Sequence, residues 1–261
     1  MNSQFMLILS VCKLNDPMEK EKIQTISYEV DKLFSLLQLQ RSYDSNAFNE
    51  VVYLISSEIR GSDDLVAIRQ IFKKYLMKLI SENRGVTITE VFTYSLFKDT
   101  GIELNKRFKR YFFARIEKFI ADHTNMQMRQ PVEHLVTRTG SVNGFHIEHI
   151  LSVNKENITL FGHDEEIFER ERNRLSGLLL LKGLDNISSS NEKYENKLKS
   201  YANTLYWNET LREDSYKSKL DFTRMIQRFN LSNLKPMSTF GPDELEERHK
   251  LLFQICSHIW K

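Results

Sequence analysis

Apolar residues recur three or four positions apart through most of the first 125 residues, the spacing that puts them on one face of a helix. Between 19 and 40 they are Ile23, Ile26, Val30, Leu33, Phe34 and Leu37. The stretch 48–59 continues the pattern, and 64–81 carries Leu65, Ile68, Ile71, Phe72, Tyr75, Leu76 and Leu79 in one stripe. Ser62, Asp63 and Asp64 stand before that stripe and have the side chains that cap a helix start. The pattern predicts a shorter helix over 89–97. It predicts a strong one over 104–121, where Phe108, Phe112, Ile116 and Phe119 share a face. The apolar run 5–11 is too short for a membrane span. It reads as a buried helix turn or a strand.

The pattern changes after His123. The stretch 124–130 is polar and irregular, and 137–144 contains Thr139-Gly140 and Asn143-Gly144, of which Asn-Gly is a turn signal. Two apolar runs of strand length follow, 145–152 and 175–182. The second is so rich in leucine that at least one face must be well buried, and Gly183 ends it. A polar helix is predicted over 188–205, with Tyr194, Leu198, Tyr201 and Leu205 inward. The stretch 220–229 is helical again. Pro242 opens a last helix that runs to Trp260, in the first-turn position where proline is tolerated. The order from residue 145 is therefore strand, irregular insertion, strand, helix. The expected fold is α+β and mostly α-helical, with a helical domain over 1–125 and a second domain over 126–261 that ends in helices.

Composition narrows this reading. Nine glycines and four prolines in 261 residues argue against a turn-rich all-β fold and against a linker-rich chain. The balance of 37 Lys and Arg against 35 Asp and Glu excludes a protein that coats nucleic acid by bulk charge. It leaves room for a local basic face. Lys106, Arg107, Lys109, Arg110 and Arg115 interleave with the aromatics of 104–121. They are either the solvated side of a core helix or a surface that touches a phosphate backbone. Cys12 and Cys256 are too few for a thiolate zinc site. The start of the chain has no basic leader region, so the expected protein is cytoplasmic, with free thiols and no membrane partner.

The candidate chemistry lies in 145–151. Glu148 and His149 sit inside an apolar run, with His146 on the same strand face as Glu148. One reading is an edge strand or a satisfied core histidine. The other is a general base, because histidine is poised near neutral pH to take a proton from water. Asn186 stands at an expected helix start, where it is either a cap or an amide oxygen within reach of a divalent cation. Asn191 and Lys197 follow on the same helix. Lys197 is either solvated or a point charge that holds a phosphate.

These residues carry a resemblance. The segment Phe145-His146-Ile147-Glu148-His149-Ile150-Leu151 resembles the Ile-Glu-His-Ile-Leu-Pro signature of the C-terminal nuclease domain in restriction endonucleases of the GmrSD kind. The segment Asn173-Arg174-Leu175-Ser176-Gly177-Leu178-Leu179-Leu180-Leu181 is similar to that family's Arg-x-Gly-Asn-Leu-Thr-Leu-Leu strand. Asn186, Ser190-Asn191, Tyr194 and Lys197 fall where the family has Asn, Ser-Asn, Phe and Lys. Arg110 to Glu117 resembles the helix before the histidine, and Arg248 with Trp260 the closing helix. The likeness spans residues 100–261 in order and spacing.

The family is a branch of the HNH, or ββα-metal, nucleases. The resemblance implies an HNH-like core with His149 as general base, Glu148 and Asn186 as metal ligands, and Lys197 acting at the phosphate. It implies Mg2+, with Mn2+ as an alternative, and double-stranded DNA, foreign or modified, as substrate. Arg107, Arg110, Arg174 and Asn191 are the further DNA-binding candidates. The signatures of the family's nucleotide-hydrolysing and DNA-recognition domain are absent. The expectation is a fragment, or half of a split system with a protein partner, and a homodimer is a further option. Two departures stand out: the family proline is Ser152, and the Gly-Asn pair is Ser176-Gly177. They keep open a catalytically weak or inactive DNA-binding subunit on the same fold. A helical protein-interaction module is the remaining alternative.

Overall fold

The computed structural model describes residues 3–183, 192–217 and 220–261. The chain divides into two units, Met1–Phe97 with Trp260–Lys261, and Lys98–Ile259. The first unit holds α1 (Ser3–Val11), α2 (Glu19–Leu39), α3 (Ser45–Glu58), α4 (Leu65–Arg84) and the single turn α5 (Tyr94–Phe97). The run 5–11 is thus a helix, with Leu7 and Val11 buried and Phe5 and Leu9 outward. Asp44 and Asp64 each accept two backbone N–H groups at the starts of α3 and α4. Gly85, at φ 63°, takes the left-handed turn that ends α4. Asp63, the expected co-cap, instead pairs with Lys22, whose buried ammonium also bonds Asp16 and the Val11 carbonyl.

The helix expected over 89–97 shrinks to α5, and the reason is one side chain. The Gln40 amide donates to the Val91 carbonyl (2.8 Å) and accepts from the Thr93 N–H (3.0 Å). Those backbone groups are the ones a longer helix would have used. Val91 and Phe92 are still buried, which is why their apolar spacing reads as helical.

The second unit is organised around α6 (Lys106–His123), whose Phe108, Phe112, Phe113 and Ile116 are buried. It packs against a two-stranded antiparallel hairpin of β1 (Phe145–His149) and β2 (Leu178–Lys182). The register pairs Phe145 with Lys182 and His149 with Leu178. The division therefore falls earlier than the 125/126 boundary expected from sequence, because the stripe of α6 faces the hairpin core. Leu178 to Leu181 are all buried, as their density requires. The 28 residues between the strands are not irregular throughout: they fold α8 (Lys155–Thr159) and α9 (Glu165–Arg172). A short α7 (Val132–Thr137) precedes the hairpin. After it come α10 (Tyr194–Ser200), α11 (Tyr206–Glu209), α12 (Leu220–Phe229) and α13 (Pro242–Trp260). The polar helix expected over 188–205 is thus cut short at Ser200, and Tyr206 begins a new turn.

That new turn is held by α6. The backbone N–H groups of Tyr206 and Trp207 donate to the two oxygens of Glu117, each at 2.9 Å. Glu117 is fully buried, and burial pushes its carboxyl up to about 7 against the pull of the two donors. Its ordinary value is 4.5, so the native state binds this proton more tightly than the unfolded chain between 4.5 and about 7. The stabilisation is complete below 4.5 and is lost as pH rises through the folded value. Unfolding free energy from urea melts should fall between about pH 5 and pH 8. In Glu117→Gln that part of the slope should vanish, at a lower overall stability.

Candidate active site

Alternation along β1 sends Glu148 and His149 to opposite sides of the hairpin. Glu148 is buried and meets Lys197 of α10, with Oε1 and Nζ 2.5 Å apart. The same ammonium donates to the His149 carbonyl at 2.7 Å. Burial raises the Glu148 carboxyl, and Lys197 opposes that shift. Lys197 is only 1 % exposed because it shares the inward stripe of α10 with Tyr194 and Tyr201. The residues alone left it either solvated or at a phosphate, and the family resemblance implied the phosphate. Its ammonium instead locks β1 to α10, and it has no open face to offer.

His149 is half-buried and turns toward the insertion. Its Nε2 lies 3.0 Å from Oδ1 of Asn173. The Asn173 amide nitrogen donates to both the carbonyl and the carboxylate of Glu169, at 2.8 Å each. An amide nitrogen so occupied fixes which end of Asn173 faces the imidazole, and it is the oxygen. The ring therefore carries its proton on Nε2, and Nδ1 keeps a lone pair. Burial lowers the His149 pKa from its ordinary 6.5, and the charges of Arg172 and Lys109 act in the same direction. The Asn173 bond and the Glu169 charge oppose them. The net effect favours a neutral ring, the form that can accept a proton.

The turn bearing Asn173 is clamped from several sides. Arg172 donates to the Leu151 carbonyl (3.0 Å) and to Glu169 (2.8 Å). Arg174 donates to the Lys98 carbonyl and pairs with Glu171 and Glu246. It is buried and saturated, so this DNA-binding candidate is a structural clamp. A Cβ on Gly101 would lie 2.1 Å from the Asn173 carbonyl, and one on Gly177 would lie 2.5 Å from the Arg172 carbonyl. Both glycines are there for close backbone approach. Of the other candidates, Arg107 is exposed on α6, while Arg110 is half-buried and donates to the Val136 carbonyl. Asn186 and Asn191 lie outside the described residues.

Among the described residues, no group of three or more His, Cys, Asp and Glu side chains is arranged to hold a metal. Glu148 is the one expected ligand among the described residues, and one of its oxygens is held by Lys197. These residues do not by themselves make a metal shell. A cavity of 320 Å3 opens at the Phe145–Lys182 end of the hairpin, away from His149.

The family model for the C-terminal domain of the GmrSD restriction endonucleases matches residues 92–255. The chain belongs to this family. The match covers α6, the hairpin with its insertion and most of α13, and it identifies a nuclease domain of restriction-endonuclease type whose substrate is DNA. Searches of curated proteins and of solved structures find no match. No helix among the described residues is long and apolar enough to cross a membrane.

Each departure from the GmrSD pattern has a local partner. Ser152 is buried and donates to the Glu192 carbonyl (3.2 Å). Ser176 is 3.2 Å from Nδ1 of the buried His249. Gly177 leaves no room for the family's asparagine, and Asn173 brings an amide to His149 from four residues earlier. Sequence reasoning missed Asn173 and Glu169, although Asn173 opens the quoted strand motif. The signal was there only as a displaced asparagine.

The Glu148–Lys197 pair can be tested apart from activity. Lys197→Met leaves a buried carboxylate alone and should lower stability by about 3 kcal/mol in urea melts. The double variant Glu148→Gln with Lys197→Met should recover a large share of that loss.

Proposed function

We propose that this domain hydrolyses phosphodiester bonds of double-stranded DNA by HNH-type chemistry, with His149 as the general base. The observation that carries the reading is the bond from His149 Nε2 to Asn173, which leaves Nδ1 free to take a proton from water. The water oxygen attacks phosphorus and the bond to the 3′ oxygen breaks. The water's proton passes to Nδ1, and solvent returns one to the leaving oxygen. Asn173, steadied by Glu169, is a positioning residue that keeps the ring's orientation and tautomer.

The proposal includes a divalent cation, Mg2+ or Mn2+, with Glu148 and Asn186 as the protein ligands expected from sequence. When bound, such an ion supplies charge stabilisation at a phosphate oxygen. The biological role we propose is restriction of foreign or modified DNA, with a recognition domain supplied by a partner protein. Cleavage of both strands by a one-site nuclease calls for a homodimer or two successive nicks. The occupation of Glu148 by Lys197 favours a second reading, a DNA-binding subunit without catalytic power.

Plasmid cleavage with Mg2+ or Mn2+ decides between them. Wild type should cut, and His149→Ala should lose about a thousandfold in rate. Equal cutting by both proteins would remove His149 from the mechanism, and no cutting by wild type would support the binding subunit. Chelation of the metal should stop the reaction. Because burial lowers the His149 pKa, the acid limb of the rate profile should lie below 6.5. Asn173→Ala should cost about tenfold or more in kcat, and Asn173→Asp, which keeps an acceptor, should restore part of it.

A further inference from the structure

The backbone at His149 is pinned at three consecutive residues, each from a different part of the chain. Lys197 of α10 donates to the His149 carbonyl (2.7 Å), and the Ile150 N–H donates to the Gly177 carbonyl (2.9 Å). Arg172 of α9 donates from Nη1 to the Leu151 carbonyl (3.0 Å). The imidazole is held separately, by Asn173 Oδ1 at 3.0 Å. Oε1 of Glu169 accepts the Asn173 amide nitrogen at 2.8 Å, and Oε2 of the same carboxylate accepts Arg172 Nε at 2.8 Å. These contacts close a ring. It runs from the His149 side chain through Asn173, Glu169 and Arg172 to the Leu151 carbonyl, and returns to His149 along the backbone.

Arg172 joins the two halves of this ring. Its Nε and Nη1 lie in one rigid plane. The Glu169 carboxylate, and the amide it steadies, therefore keep a set place relative to the backbone that carries the imidazole. The contacts from Lys197 and Gly177 act at this point on backbone alone. The Arg172 side chain is 12 % exposed, and its guanidinium lies 5.7 Å from the centre of the Phe168 ring. Glu169 is half-exposed, and an ion pair so open to water adds little stability. What the pair supplies is geometry. We propose that Arg172 is a positioning residue for the candidate base, holding His149 in its orientation and keeping the ring proton on Nε2. Its consequence for cleavage rests on the nuclease reading above. Without Arg172 the Glu169 carboxylate turns to solvent, and the Asn173 amide nitrogen is left with the Glu169 carbonyl alone. The two ends of the amide can then exchange. An Asn173 that presents its nitrogen makes Nε2 the acceptor, moves the ring proton to Nδ1 and removes the lone pair that would take a proton from water.

The test uses the full chain, and its first readout needs neither metal nor DNA. NMR of the imidazole nitrogens is recorded at about pH 8, where a histidine ring is neutral, with His149 assigned by its loss in His149→Ala. Wild type should show one tautomer, protonated on Nε2, and Arg172→Met should show a mixture. A mixture in wild type, or a single tautomer in Arg172→Met, would overturn the proposal. In plasmid cleavage Arg172→Met should lower kcat about tenfold or more and leave KM unchanged. In the Asn173→Ala background the same substitution should cost less than about threefold, because the ring is already open. Full additivity of the two substitutions would show a merely structural arginine and overturn the proposal. So would a raised KM with a salt slope lower by about one, the signature of a direct phosphate contact. If Arg172→Met does not fold, Arg172→Lys carries the test. It keeps the charge without the planar fork and should also mix the tautomers, whereas an unmixed ring would overturn the proposal. If His149→Ala cleaves normally while Arg172→Met mixes the tautomers, the positioning stands and the base assignment fails. If His149→Ala is inactive and Arg172→Met keeps one tautomer and the wild-type kcat, the reverse holds.

Discussion

Between Arg172 and Gly177 the backbone folds so closely on itself that a single carbon at position 177 would collide with the Arg172 carbonyl. Much of the site follows from that approach. It forbids a side chain at the start of β2, where the GmrSD pattern has asparagine. It holds the preceding turn in place, so that Asn173 reaches His149 with its amide oxygen. The Gly177 carbonyl in turn accepts the Ile150 N–H (2.9 Å), which carries the hairpin ladder one step beyond the strands. Orientation of the imidazole is thus a consequence of backbone packing. A more distant amide supplies what the missing side chain would have supplied.

Around this turn the fold buries charge in an ordered way. Arg174 is saturated by two carboxylates and a carbonyl, and Lys197 by a carboxylate and a carbonyl. Arg248 is handled differently. Its guanidinium stacks 3.7 Å from the Trp207 ring and donates to Thr210 Oγ1 and the Trp207 carbonyl, both at 3.3 Å. Burial lowers its pKa to about 10, which still leaves it charged at neutral pH. Glu117 accepts the Trp207 backbone N–H, so α6, α11 and α13 meet at one residue. Buried groups of this kind add little net stability compared with apolar packing. Their value lies in geometry, because each has few ways to be satisfied and so restricts how the hairpin, α10 and α13 can meet.

Two buried lysines of the second unit, Lys197 and Lys109, differ for one physical reason. Lys197 lies on the buried stripe of α10, where a carboxylate is waiting for it. Lys109 lies on α6, and Glu103, the carboxylate whose charge acts on it, already accepts the Gly101 N–H. The same side chain ends as an internal strut in one case and, in the other, as an ammonium with no hydrogen bond among the described residues. Sequence position alone does not separate them, since both are lysines on helices that also carry aromatic residues.

What the sequence determined by itself was periodicity and punctuation. The stripes of α2, α4 and α6, the cap at Asp64, and the proline start of α13 are local features that hold wherever the elements pack. The two strand-length apolar runs and the GmrSD motifs were legible for the same reason, and with them His149 and Glu148 as the polar residues out of place. The tertiary structure decided the partners. It cut the helix expected over 89–97 by lending Gln40 to its backbone, and it moved the division of the chain to 97/98 by packing α6 on the hairpin. It assigned Lys197 to Glu148, Arg174 to Glu171 and Glu246, and Asn173 to His149. Each of these joins residues distant in sequence or depends on a close backbone approach, and neither leaves a mark in local spacing. A side chain's chemistry can be read from its letter, whereas its commitment depends on which acceptors the fold brings within three ångströms.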